Sequence, residues 1–175
     1  MLIFTHCLFL EWERIDPDNM DDDKNFLIRA VTLAADGIQK GGGPFGAIIT
    51  KNGQIVAEAY NKVVILKDPT AHAEILAIRQ ASQEIGTHDL SECTLYTSCE
   101  PCPMCLGAIY WAGIKKVFYA ADRKDAAKSG FSDEYIYDEI ELMPEQREII
   151  FNYLPDIDGQ TVFRIWDLYE NKNPY

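Results

Sequence analysis

Two short motifs about thirty residues apart constrain this chain more than anything else in it: Thr70-Ala71-His72-Ala73-Glu74 and Pro101-Cys102-Pro103-Met104-Cys105. One imidazole and two thiolates suit zinc as soft-to-borderline ligands. Three protein ligands leave a fourth tetrahedral position open for water, which distinguishes a catalytic zinc from a structural one. The spacing of the cysteines has its own physical reason. Pro103 is suited to a first helical position, which makes Cys102 a cap residue and sets Cys105 about one turn later on the same face. Both sulfurs then meet the positive end of a helix, where thiolate is favoured. The His-x-Glu pair is harder to place, because residues two apart on a regular helix point nearly opposite ways. If His72 stands at the helix entrance, still outside helical geometry, His72 and Glu74 reach one cavity. Glu74 then binds no metal and serves as the proton carrier, base first and acid later.

Each motif alone has an ordinary reading. A CxxC pair also serves as a redox couple or as half of a structural zinc site. It is the addition of a His-x-Glu, each motif at an expected helix start, that favours catalysis. The other cysteines read differently: Cys93 and Cys99 border a buried strand, where cysteine behaves as a small hydrophobe. Five cysteines, an odd number with three close together, make a poor disulfide framework and fit a reducing, cytoplasmic setting.

The formal net charge of −12, with 16 basic and 28 acidic residues, argues against a nucleic-acid footprint, which needs clustered Lys and Arg. No stretch approaches the roughly 20 apolar residues that span a bilayer. Residues 1–22 differ from the rest, with an apolar start, Glu11-Trp12-Glu13, Asp16-Pro17-Asp18 and the acidic Asp21-Asp22-Asp23. They read as an appendage to a domain over residues 23–175, with Met20 an alternative start.

From Lys24 a helix is expected, with Leu27, Ala30, Val31, Ala34 and Ile38 on its apolar stripe and Gly41-Gly42-Gly43 ending it. Residues 46–50 and 54–60 read as strands joined by the hairpin signal Asn52-Gly53. A helix follows Asp68-Pro69-Thr70 to about Ile85, then a strand at 94–97, a short helix at 103–112 and a strand at 116–121. Strands separated by helices predict an α/β sandwich whose sheet is mixed and mostly parallel after the hairpin.

The pattern His-x-Glu…Pro-Cys-x-x-Cys is the zinc deaminase signature, and the chain resembles the cytidine deaminase-like superfamily on those residues. A wider set is similar to the bacterial guanine deaminase family within it. That set comprises Gly42-Gly43-Pro44-Phe45-Gly46-Ala47, Asn61, Asp68 through Glu74, Leu95 through Glu100, Ala108-Ile109-Tyr110-Trp111-Ala112, Phe118 through Ala121, and Gly130-Phe131. The resemblance implies a three-layer α/β/α fold with a sheet of about five strands, and a Zn2+ cofactor on His72, Cys102 and Cys105. It implies zinc-activated water attacking C2 of guanine, with Glu74 catalytic, to give xanthine and ammonia. It further implies a homodimer exchanging C-terminal segments. Asn61, Asp133, Phe45 and Ala73 would bind the purine, and Tyr175 would close the site, in its own subunit or from the partner. Taken as isolated residues, Asn61 is a strand-end turn residue, Asp133 a helix cap, Phe45 core and Tyr175 a frayed end.

Three other functions compete. A guanosine deaminase would use the same pocket with a looser closure. A tRNA adenosine deaminase shares the zinc motifs but needs a basic surface for its RNA. A zinc-binding structural protein would have no use for Glu74. The expected partner is therefore a small purine base, with no nucleic acid and no membrane.

Overall fold

The pattern of buried positions along β1 explains the architecture. The computed structural model describes residues 22–173 and begins with α1 (Asp22–Gln39), β1 (Gly46–Lys51) and β2 (Gln54–Tyr60). Then come α2 (Val63–Leu66), α3 (Ala73–Ile85), β3 (Cys93–Cys99), α4 (Pro103–Trp111) and β4 (Lys116–Ala121). Beyond β4 the chain forms α5 (Arg123–Lys128), α6 (Asp133–Glu141), a 3-10 turn at Pro144–Gln146 and α7 (Thr161–Leu168).

Strand β1 is apolar on both faces because helices cover both. Ala47 and Ile49 point to one layer, where they pack with Ala73, Ala77 and Ala81 of α3 and Ile109 of α4. Ile48, between them, packs on the other face against Ala30 and Leu33 of α1 and Tyr96 of β3. This is the period-two alternation of a strand filled from both sides. Ile48, Ile49 and Leu95 are fully buried, each worth about 1.5–3 kcal/mol by transfer from water. The alanines of α3 let that helix lie close on the sheet.

The sheet has four strands in the order β2-β1-β3-β4, not the five expected. Two of its three pairings are antiparallel and only β3–β4 is parallel, although β2, β3 and β4 all run in the same sense. No fifth strand joins the sheet among the described residues. At Asp122 the chain leaves the sheet, and the Asp122 carboxylate accepts from the Asp125 amide to cap α5. The most strand-like run beyond that point, residues 149–154, lies unpaired with Ile149, Ile150 and Leu154 exposed.

The hairpin is as expected, with Asn52 and Gly53 both at positive φ (52° and 73°), the geometry of a two-residue primed turn. The stripe of α1 differs from expectation. Leu33 and Gly37 are buried with Ala30 and Ala34, while Ile38 is exposed. Gly37 lies under Tyr60, whose ring atoms would sit within 2.7–2.9 Å of any Cβ there. The residues assigned to an appendage, 1–22, lie outside the described residues except for Asp22, which opens α1. No helix among the described residues is long and apolar enough to cross a membrane.

Candidate active site

Where β2, β3 and β4 end and β1 begins, the loops leaving the sheet enclose a cleft of about 350 Å³. Its wall includes His72, Glu74, Cys102, Asn61, Phe45 and Asp133. Ends of strands that leave in a common direction are the usual place for a site in an α/β fold, because diverging connections leave a crevice there.

Two helix entrances bring together three side chains suited to a metal ion. His72 is the N-cap of α3, with extended backbone (φ −67°, ψ 156°). Cys102 is the N-cap of α4 with Pro103 following, again extended (φ −68°, ψ 168°). Neither side chain makes a capping hydrogen bond. His72 Nδ1 lies 3.6 Å from Cys102 Sγ and 3.6 Å from Cys105 Sγ, and the three donor atoms fall within 4.8 Å of one another. Ligands at roughly 2.0–2.3 Å from a tetrahedral zinc stand about 3.5–3.8 Å apart. The donor set and its spacing therefore fit Zn2+.

Hydrogen bonding from Cys105 holds the Cys102 thiol low, to about 4, against burial, and His72 adds to the effect. The same bond, with burial and the Glu74 carboxyl, pushes Cys105 up. A divalent cation relieves that conflict, since both sulfurs then bind as thiolates. Cys99 stands apart. It is buried, its thiol donates to the Asp122 carbonyl at 3.6 Å, and burial pushes it up to about 11. It is not in the ligand cluster.

Because His72 precedes the first helical turn, Glu74 reaches the same side despite the two-residue spacing. Its Oε2 lies 3.5 Å from Cys105 Sγ, and its Oε1 accepts from the Thr97 hydroxyl at 3.2 Å. Glu74 is buried, and burial raises its pKa. A carboxyl so placed holds a proton more readily at neutral pH, as a group passing a proton both ways requires.

The remaining residues divide. Asn61 is buried, and its Oδ1 accepts from the Val63 amide at 3.2 Å, which leaves the NH2 group as the donor for a ligand. Gly43 is close by: a Cβ there would stand 3.0 Å from Asn61 Oδ1, so glycine gives the amide room. Phe45 meets Phe131 edge-on at 4.9 Å between ring centres, forming an aromatic side to the cleft. Asp133 is the first residue of α6 and faces the cleft, and burial pushes its carboxyl up. Ala73 is brought close in sequence only. It is wholly buried in the core under α3 and does not line the cleft. Tyr175 lies outside the described residues.

Thr97, Glu100, Val63, Val64 and Phe131 belong to the site without having been given a role from sequence. The signal for Thr97 was present: a hydroxyl in the middle of a buried strand needs a partner. Val63 and Val64 follow directly on Asn61, and Val64 is exposed beside the cleft.

Residues 20–121 match the cytidine and deoxycytidylate deaminase zinc-binding region. This chain belongs to that deaminase family. Guanine deaminase from Bacillus subtilis is 53% identical over 153 residues, covering 87% of this chain and 98% of that protein. A solved structure of guanine deaminase from Bacillus subtilis superposes with a TM-score of 0.85 at 53% identity, covering 87% of this chain and 98% of that one. A tRNA-specific adenosine deaminase from Aquifex aeolicus is 47% identical over a shorter stretch of 100 residues, 57% of this chain and 66% of that protein. The deaminase similarity to the Bacillus protein thus extends through α5, α6 and the segment beyond, while the tRNA enzyme matches a shorter share.

Proposed function

We infer that this deaminase hydrolyses guanine to xanthine and ammonia at a zinc held by His72, Cys102 and Cys105. The observation that carries the reading is the placement of Glu74. A buried carboxyl with a raised pKa stands 3.5 Å from the Cys105 sulfur and opens on a cleft of about 350 Å³. A structural zinc site has no use for such a group.

Zinc, when bound, supplies the Lewis acidity that makes water a nucleophile near neutral pH. Glu74 takes a proton from the attacking water on its carboxylate and returns it to the departing amino nitrogen, so that C2 gains oxygen and loses ammonia. Thr97 holds Glu74 Oε1 through that exchange. The Asn61 NH2 group donates to an acceptor on the purine edge, and Asp133 pairs with an N–H of the ring. Phe45 and Phe131 hold the flat base and exclude water. A site built around such paired groups rejects a base that leaves them unpaired.

The exposed C-terminal region supports a homodimer. Ile150, Tyr153 and Leu168 are 81%, 87% and 83% exposed, far more apolar surface than a soluble monomer ordinarily leaves in water. A second copy exchanging this segment covers it.

An ammonia-release assay across guanine, guanosine, adenine, cytosine and cytidine tests the substrate. Guanine is expected to lead by at least a hundredfold. Guanosine turned over as fast as guanine would make this a nucleoside enzyme. Adenosine converted to inosine in an RNA hairpin, with guanine untouched, would move it to the tRNA group.

A further inference from the structure

Glu100 lines the cleft one residue from Pro101 and two from Cys102, and both of its oxygens are engaged by Arg123. Its Oε1 accepts from Nε and Nη2 of Arg123, and its Oε2 accepts from the Arg123 backbone amide at 3.1 Å. The Glu100 amide in turn donates to the Ala121 carbonyl at 2.8 Å. The loop after β3 is thereby fastened to the loop after β4. The guanidinium has a second contact: its central carbon stands 4.2 Å from the ring centre of Tyr137 on α6. The Tyr137 hydroxyl donates to the Pro101 carbonyl at 2.9 Å, the peptide immediately before Cys102.

Tyr137 and Asp133 are four residues apart on α6, so they share one face of the helix. One end of that face presents Asp133 to the cleft, and the other is held against the zinc loop by a stacked arginine and a hydrogen bond. α6 also packs against α4 and α5, and its Glu139 carboxylate accepts from the Glu148 amide.

We propose that Glu100, Arg123 and Tyr137 form a clamp that sets the position of Asp133 relative to the zinc loop, and that Arg123 and Tyr137 are positioning residues for substrate binding. The inference rests on the reading of Asp133 as a purine-binding residue. The charge-assisted pair, in which Nε and Nη2 both donate to Oε1, and the stacked ring both call for the planar guanidinium of arginine, which lysine does not supply.

A double-mutant cycle separates positioning from general stability. Arg123→Ala is expected to lower kcat/KM for guanine at least tenfold, mostly through KM, with zinc content unchanged. In an Asp133→Asn background the same change is expected to cost less than threefold, because the residue it positions is already disabled. Arg123→Lys should fall between. If Arg123→Ala does not fold, Tyr137→Phe, which keeps the ring and removes only the hydroxyl, runs the same cycle with a smaller loss. Amide hydrogen exchange over residues 134–141 provides a readout without substrate. It should quicken at least tenfold in the Arg123→Ala or Tyr137→Phe protein while exchange in α4 stays as it was. Equal losses in both backgrounds, or unchanged exchange in α6, would overturn the clamp. A wild-type protein inactive on guanine would instead refute the substrate reading, and the exchange comparison alone would then decide the clamp.

Discussion

Replacing Thr97 with valine tests the proton carrier through a residue that touches no ligand atom. Thr97 is fully buried, and valine keeps its shape while removing only the hydroxyl that donates to Glu74 Oε1 at 3.2 Å. A buried hydrogen bond to a charged group is worth about 1.5–3 kcal/mol. If the bond is needed to aim the carboxylate, that range corresponds to a loss of about 10- to 150-fold in kcat, each 1.4 kcal/mol being tenfold. KM should change little, since Thr97 does not line the cleft. Zinc content should remain that of the wild type, because Thr97 is not part of the proposed ligand set of His72, Cys102 and Cys105. The assay is steady-state ammonia release from guanine, with zinc measured by elemental analysis on the same preparations. A Thr97→Val protein within threefold of wild type in kcat would refute the idea that this bond orients Glu74. Zinc lost along with activity would show instead that the substitution acts by disturbing the site as a whole.

Three further outcomes follow from the same geometry. Cys102→Ser or Cys105→Ser should remove zinc and activity together while Cys99→Ser keeps both, and elemental analysis of the three proteins checks it. The Glu100 carboxyl is held below its usual range chiefly by hydrogen bonding from Arg123. Its stabilisation is therefore fully present above the unfolded carboxyl's pKa and is lost as pH falls through the lower folded value. The gap in Tm between wild type and Arg123→Ala should accordingly be widest near neutrality and narrow with acidification below about pH 4.5. Deleting Pro174 and Tyr175 should leave zinc and Tm nearly unchanged while kcat/KM for guanine drops at least tenfold, if the ring closes the cleft and excludes water.

Much of the site could be read from sequence because its residues are local to two helix starts. Proline after Cys102 and the dipeptide Pro69-Thr70 before His72 announce those starts, and the cap positions explain why His72 and Glu74 meet in one cavity. The Asn52-Gly53 turn was legible for a similar reason, since its chemistry is confined to two residues. What escaped was long-range. Gly37 is buried because the Tyr60 ring lies over it, and nothing in the periodicity of α1 announces that contact. The short helix α2 ends at Lys67 in a left-handed conformation (φ 54°) that its apolar residues do not signal. The expectation of a fifth strand failed because residues 149–154, though strand-like in composition, pair with neither outer strand of the sheet, β2 or β4. Glu100 was given no role from sequence, and only the fold brings Arg123 and Tyr137 to it.

The central claim is that a buried Glu74 drives hydrolysis beside a zinc it does not bind. The most direct measurement is guanine turnover by a zinc-loaded Glu74→Gln protein. The account predicts about one zinc per chain, guanine still bound, and kcat reduced by at least about 10²-fold, the scale of a lost general acid–base group. A glutamine protein that keeps its zinc and turns over guanine within tenfold of wild type would contradict it.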